Sequence, residues 1–380
     1  MTLWTPEIIE AGSNLPALDA ALETVPNRSA VFLIRPREGS PYLARTALLR
    51  RRLLRLLSER PQPSRMLNLR AVVSRVEYRL TASWLETSLV FYEQARRNFP
   101  DSYVRLMRLR KPPYVKIILS NSFPRSQVTT RLAGARALYY GPFRSRPAAE
   151  QFESQFLDLF QMRRCQEDLQ PSPSHPGCIY GEMNMCLRPC QQVVSVEEYQ
   201  GEVNRVLEFL SMDGRSLVEV VSRARDRLSE EMNFEEAARQ HKVTEKIEQV
   251  LKLRDELARD IDRLNGVAVT ASVSPGAVEF WFLLKGCWQP PCRFSLEAAG
   301  SNTVSLDRRL RETAASLRPA RISQRDREDH LALLARWRYA SWTDGEWLPF
   351  DHVDDVPYRK LVRAISRVAA GAAISPQPSG

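Results

Sequence analysis

The sequence predicts an α/β chain built from several modules, and three observations carry that prediction. Short runs of β-branched and aromatic residues alternate with helical periodicity through roughly the first 140 residues. Four cysteines then fall between Cys165 and Cys190. Beyond them lies a charge-dense helical stretch, followed by alternating strands and a few short helices. A chain of 380 residues has room for two or three domains with cores of their own.

In order, Ala30–Ile34 and residues 71–79 read as strands. Between them, Ala47–Ser58 sets leucines and arginines at helical spacing and stops before Pro61 and Pro63. Trp84–Asn98 reads as a second helix closed by Pro100, and Tyr114–Leu119 as a further strand, with this α/β opening ending near Gly141. From Pro147 to Arg164, Phe152, Phe156, Leu159 and Phe160 share one helical face. A loop rich in Pro, Ser and Cys runs to about residue 192. Residues 196–264 carry helical periodicity with breaks at Gly214 and Asn233. After Gly266 the period changes to strand alternation, including Val278–Phe282, then two or three short helices. Pro376–Gly380 is expected to be a disordered tail. The expected divisions are 25–110, 111–195, 196–264 and a small mixed α+β module over 266–375.

Charge is unevenly spread. Residues 1–150 hold 25 Lys+Arg against 11 Asp+Glu, a balance of +14, so a chain total of +10 leaves −4 for the remainder. An Arg-rich genome would explain the choice of Arg over Lys but not the scarcity of acids. The asymmetry points to a polyanion partner, and arginine's planar fork suits phosphate. No apolar run reaches the length of a membrane span, and the first residues have neither a basic nor an apolar leader region. A cytoplasmic protein with no membrane partner is expected.

Cys165, Cys178, Cys186 and Cys190 follow the pattern C-x12-C-x7-C-x3-C. Thiols clustered in a cytoplasmic chain are rarely disulfides. Four thiolates can saturate a tetrahedral zinc ion or hold an iron–sulfur cluster, and spacing alone does not choose between them. Cys287 and Cys292 are too few for a site and read as structural thiols.

Gly141-Pro142-Phe143, the helix to Arg164-Cys165, and the block from Cys178 through Cys186-Leu187-Arg188-Pro189-Cys190 together resemble the cysteine region of the UvrC family. The resemblance implies a [4Fe–4S] cluster on the four cysteines. Downstream, Phe234-Glu235-Glu236-Ala237-Ala238 resembles the UVR motif, which sits at the bend of a helical hairpin and, in that family, docks on UvrB. The family continues Leu-Arg-Asp where this chain has Gln240-His241-Lys242. The resemblance covers roughly residues 25–300. The family's RNase H-like and helix-hairpin-helix regions are not visible, so a short form carrying only the N-terminal half is expected.

Residues 25–110 resemble a GIY-YIG nuclease with altered motifs. Ala30-Val31-Phe32 stands for Gly-Val-Tyr, and Tyr42-Leu43-Ala44-Arg45 for Tyr-Val-Gly-Lys. Leu49-Arg50-Arg51-Arg52 matches the following Leu-Arg-Lys-Arg run. The resemblance implies a remnant site on Tyr42, Arg45 and Arg52, with Phe32 in place of the first tyrosine. Counting back nine residues from Pro100 puts Phe91 where the family has its metal-binding glutamate. Tyr103 or Val104 fills its asparagine position, and Glu86 or Glu93 could substitute only by a shift of helix register. The expectation is a repair factor that binds DNA through Arg45, Arg50, Arg51, Arg52 and Arg55, with an impaired nuclease. Two alternatives stand beside it. One is an active Mg²⁺-dependent endonuclease; the other is a UVR-type adaptor in protein quality control, against which the basic N-terminal region speaks.

Overall fold

Residues 30–36 form a strand because apolar side chains fill both of its faces, and that strand organises the N-terminal unit. The computed structural model describes residues 3–11, 15–59, 67–134, 136–296, 306–318 and 323–374. The unit comprises β1 (Glu7–Glu10), α1 (Leu15–Thr24), β2 (Ala30–Pro36), β3 (Tyr42–Thr46), α2 (Leu49–Leu57), β4 (Val73–Leu80), α3 (Trp84–Asn98) and α4 (Tyr103–Met107). Its strands lie in the order β1-β4-β2-β3, and the pairings are antiparallel. Strand alternation divides the sheet into two faces. Ala30, Phe32 and Ile34 pack with Leu18 and Leu22 of α1 and Leu49, Leu53 and Leu56 of α2. Val31, Leu33 and Leu43 turn the other way, into a core with Leu85, Leu89 and Phe91 of α3. Ser83 caps α3 by accepting the Glu86 N–H.

The middle region contains β5 (Tyr114–Ile118), β6 (Arg125–Thr129), β7 (Ala137–Gly141), α5 (Arg146–Leu157), a short α6 (Ile179–Glu182), α7 (Val196–Ser211), α8 (Arg215–Glu230) and α9 (Phe234–Lys252). With β8 (Arg259–Asp260) the strands run β6-β5-β7-β8. Val115 and Ile117 meet Phe152 and Phe156 of α5, Tyr199 and Val203 of α7, and Ile247 of α9 in one core. Gly141 has φ +152°, and a Cβ there would sit 2.7 Å from Cδ1 of Tyr114, so only glycine fits the turn that carries buried Phe143. Ser195 and Glu198 form a reciprocal capping box at the start of α7.

The last region holds β9 (Asn265–Ala271), β10 (Ala277–Leu284), β11 (Cys287–Trp288), β12 (Cys292–Ser295), α10 (Leu306–Ser316), α11 (Gln324–Arg338), β13 (Glu346–Phe350) and α12 (Tyr358–Ile374). Val267, Phe280 and Phe282 pack against α10 and α12. The opposite face, with Ala268, Trp281 and Trp347, packs on α11 and on α3 of the N-terminal unit. Burying large apolar side chains such as Trp281 contributes roughly 2–3 kcal/mol each, so the first and last regions share a substantial core. Asp329 of α11 reinforces the seam by accepting the hydroxyls of Tyr103 (2.6 Å) and Tyr92 (3.2 Å).

Several expected boundaries move. The helix expected to Arg164 ends at Leu157, where a tight turn folds back and Arg164 pairs with Asp158 at 2.7 Å. Helix expected through residue 264 ends at Lys252; Arg254 pairs with Asp213, and Arg259–Asp260 adds to β7 as a strand. The breaks at Gly214 and Asn233 stand where expected: Gly214 has φ +79°, and Asn233 caps α9. Strands β1, β6 and β7 and helix α1 were not foreseen, and Tyr42–Arg45, read only as a motif, lies in β3. Pro61, Pro63 and the tail Pro376–Gly380 lie outside the described residues.

Candidate functional site

Antiparallel pairing of β2 and β3 sets Ile34 opposite Tyr42 and Phe32 opposite Ala44. The Phe32 and Tyr42 rings are 6.2 Å apart on the face covered by α2. From α2, Arg52 Nη2 donates to the Tyr42 hydroxyl at 3.0 Å. Arg51, Arg52 and Arg55, with Thr46, Ala47 and Leu48, line an open depression of about 370 Å³. The five arginines of the predicted DNA surface therefore divide. Arg50 turns away, its Nε donating to the Val25 carbonyl at 2.7 Å. Arg45 lies on the opposite face of the sheet, its guanidinium 5.7 Å from the centre of the Phe91 ring.

Phe91 is buried in the core between α3 and the sheet. The two glutamates of α3 are both engaged. Glu86 is buried, accepts the Ala82 N–H at 2.9 Å and pairs with Arg79 at 3.2 Å. Burial pushes its carboxyl above the usual range, and the Ala82 and Arg79 contacts oppose that rise. Glu93 accepts the Leu3 N–H at 2.7 Å, and burial raises its carboxyl too. Both stand on the α3 side of the sheet, while the Tyr42–Arg52 pair stands on the α2 side.

The cysteine loop is tied down around a buried cation. Arg163 is 1% exposed; its Nε donates to the Phe123 carbonyl at 2.9 Å and its Nη1 to Cys165 Sγ at 3.3 Å, while its buried Nη2 has no partner. Tyr199 accepts the Arg163 N–H and donates to the Pro124 carbonyl. Cys178 precedes α6, and Cys190 lies in a single 3₁₀ turn before α7. Gly181 lets Arg188 pass closely, since a Cβ there would fall 2.8 Å from its Cγ. Cys186 and Cys190 are buried, and Cys186 Sγ accepts the Arg188 N–H at 3.4 Å. Burial pushes the Cys186 thiol up to about 11, with Cys165, Cys178 and Cys190 adding to the rise. All are free thiols.

Among the described residues, no three His, Cys, Asp or Glu side chains stand close enough together to hold a single metal ion. The four thiols are therefore not gathered around one point in this structure. The donor set fits an anionic thiolate centre in two respects: the unpaired guanidinium nitrogen is buried beside it, and backbone and side-chain N–H groups already point at sulfur. Sequence reasoning stressed Arg164 beside Cys165, but Arg163 is the residue at the sulfur. The adjacent pair of arginines gave no signal to choose between them.

Helices α8 and α9 form an antiparallel hairpin whose bend is Glu231–Asn233. Phe234 is 63% exposed and Met232 74% exposed, two large apolar side chains at the tip. Glu235 faces solvent, Glu236 pairs with Arg239 at 2.8 Å, Ala238 is exposed and Ala237 packs inward. The predicted motif is therefore presented at a bend.

An α/β unit with a basic helix, a four-cysteine loop and a hairpin with an exposed apolar tip make up a multi-module scaffold. Residues 113–209, from the start of β5 through most of α7, match the family described as UvrC/Cho excinuclease, middle domain. The chain is UvrC-like. It is 22% identical over 291 residues to the UvrABC system protein C of Lachnospira eligens, covering 76% of this chain and 48% of that one. Against the Methanothermobacter thermautotrophicus protein of that name identity is 26% over 257 residues, 66% of this chain and 43% of the relative. Against that of Moorella thermoacetica it is 29% over 227 residues, 58% and 36% respectively. The chain spans about half the length, or less, of these curated relatives. No solved structure matches it. Among the described residues, no helix is long and apolar enough to cross a membrane.

Proposed function

We propose that this chain is a nucleotide-excision-repair factor that binds DNA, docks a UvrB-like protein through the α8–α9 bend, and carries an impaired GIY-YIG-type nuclease site. The observation that carries the reading is the α2 face, where Arg51, Arg52 and Arg55 line one depression beside Tyr42. Three guanidinium groups so placed can grip phosphates whether or not the strand is cut. The relatives' common name, a component of a UvrABC system, is the ground for a UvrB-like partner.

Cys165, Cys178, Cys186 and Cys190 are the residues to hold a [4Fe–4S] cluster, which when bound would cross-link the loop. Arg163 offsets the negative charge of the thiolates, and Tyr199 fixes Arg163 to the loop after β5. The neighbouring α7 leads on to the hairpin, so an ordered loop also sets where the hairpin projects.

Binding of a mixed-sequence duplex should weaken steeply with added salt. In the double variant Arg51→Gln/Arg55→Gln, the slope of log affinity against log salt should fall by about 2, close to 0.9 for each phosphate that is no longer neutralised. An unchanged slope in that variant would remove α2 from the interface.

Phe234→Ala should weaken the complex with a UvrB-like protein by about 2 kcal/mol, roughly 30-fold, the loss typical of an aromatic anchor at an interface. Glu248→Ala, on α9 far from the bend, should leave the affinity near that of the parent. Equal loss in both variants, together with reduced helicity, would mean that the hairpin had unfolded and that Phe234 is no anchor.

A further inference from the structure

We propose that the groove between the end of α11 and the segment after α4 binds the sugar–phosphate backbone of DNA, as a contact separate from the α2 face. The inference rests on the DNA-binding reading above and adds a second surface to it.

The groove has a volume of about 520 Å³ and is assembled from three stretches far apart in sequence. Arg108, Arg110 and Lys111 come from the segment after α4, Arg144 from the turn after β7, Arg336 from the last turn of α11 and Tyr339 from just after it. Among the described residues its lining holds five cationic side chains and no carboxylate. Arg108 and Arg110 are exposed. Arg336 is half-buried, donates to the Met107 carbonyl at 2.7 Å and lies 5.8 Å from the Trp84 ring centre. Arg144 lies over the Tyr339 ring at 5.4 Å.

Acidic groups do stand nearby. Lys111 pairs with Glu328, Asp255 takes the Arg144 backbone N–H, and Glu256 is occupied by Arg338. The carbonyl end of α11 also faces this region, but a helix terminus amounts to about half a charge, which the remaining guanidinium groups outweigh. Arg45 lies outside both the groove and the α2 depression, over the Phe91 ring. A single phosphate would engage one or two of these cations. A polymer of phosphates engages cations drawn from separate segments, and guanidinium groups favour phosphate oxygens over base edges as positioning contacts.

The test uses the full chain and a fluorescent mixed-sequence duplex, titrated at several salt concentrations. Arg110→Gln/Arg144→Gln should bind about 5- to 20-fold more weakly at moderate salt, with a salt slope lower by about 2. Its loss should add to that of Arg51→Gln/Arg55→Gln, because the two pairs share no partners. Thermal melting checks folding. Should Arg144→Gln disturb the turn, Arg108→Gln/Arg110→Gln removes two exposed charges instead and should show the same loss. A groove variant that is folded and binds with parental affinity and slope, while the α2 variant is weakened, overturns the groove and leaves DNA binding standing. A parent chain that binds no DNA overturns the DNA reading, and the groove with it.

Discussion

Replacing Cys186 and Cys190 together by serine is expected to abolish metal loading and to loosen the middle region. The two thiols are buried and lie on either side of Arg188. Removing half the ligands of a four-thiolate centre leaves it open to water and exchange. Without a bound centre, the sulfur beside the buried Arg163 guanidinium, that of Cys165, is no longer held as a thiolate, and one guanidinium nitrogen is already unpaired. An uncompensated buried charge costs several kcal/mol. Among the backbone contacts that hold the loop, Leu187 N–H donates to the Gln161 carbonyl and, within the loop, Ser172 N–H donates to the Cys190 carbonyl. A loss of about 3 kcal/mol or more is therefore expected, roughly 6–12 °C in Tm for a region of this size. Anaerobically purified parent protein should be brown, with iron and acid-labile sulfide in near-equal amounts, and the double variant colourless. Cys287→Ser/Cys292→Ser should retain full iron, since those thiols sit in β11 and β12 of a different sheet. A colourless parent with one zinc per chain would replace the cluster by a Zn–Cys₄ site. Parent protein with neither metal would remove the centre altogether.

What the sequence disclosed follows from how far each signal is local. The hairpin was legible because both breaks carry local chemistry: Gly214 adopts a positive φ and Asn233 caps α9. Trp84–Asn98 was legible as a helix closed by Pro100, although its burial on two sides was not. Strand β6, Arg-Ser-Gln-Val-Thr, is polar and sits at a sheet edge, so it lacks the apolar alternation that marks a strand. Leu253 to Leu264 kept helical spacing, but long-range contacts override it there: Arg254 is held by Asp213, and β8 is recruited by β7. The arginines of α2 could be sorted in part. At about 100° per residue, Arg51, Arg55 and Arg52 fall within one third of the helix and Arg50 opposite. Arg45 could not be sorted without knowing which face of β3 meets α3. The groove was illegible in principle, because residues 108, 144 and 336 meet only after the three regions have packed.

The N-terminal site is expected to give no Mg²⁺-dependent nicking of duplex DNA above background, with or without a UvrB-like partner. Phe32 has no hydroxyl to join a proton-transfer network, and general acid–base assistance is typically worth about 10²–10⁴-fold. Phe91 cannot coordinate an ion, and metal stabilisation of the scissile phosphate adds several kcal/mol. The remaining question is whether another carboxylate stands in. The oxygens of Glu86 are committed to Arg79 and to the Ala82 N–H, and burial raises its carboxyl. Glu93 is committed to the Leu3 N–H. Both project from α3, on the far side of the sheet from Tyr42 and Arg52, so neither meets the pair that would hold the phosphate. Moving either across would require the sheet to reorder, not a rotamer to change. The measurement is nicking of supercoiled plasmid by purified parent protein with Mg²⁺, set beside Glu86→Gln and Glu93→Gln. Robust nicking by the parent, lost in one of those variants, would identify that glutamate as the metal ligand and restore the nuclease. Nicking that survives both substitutions would place the metal on a carboxylate outside α3. In the expected case all three proteins are equally inert, while Arg52→Gln still weakens binding, because Arg52 grips phosphate without any metal beside it.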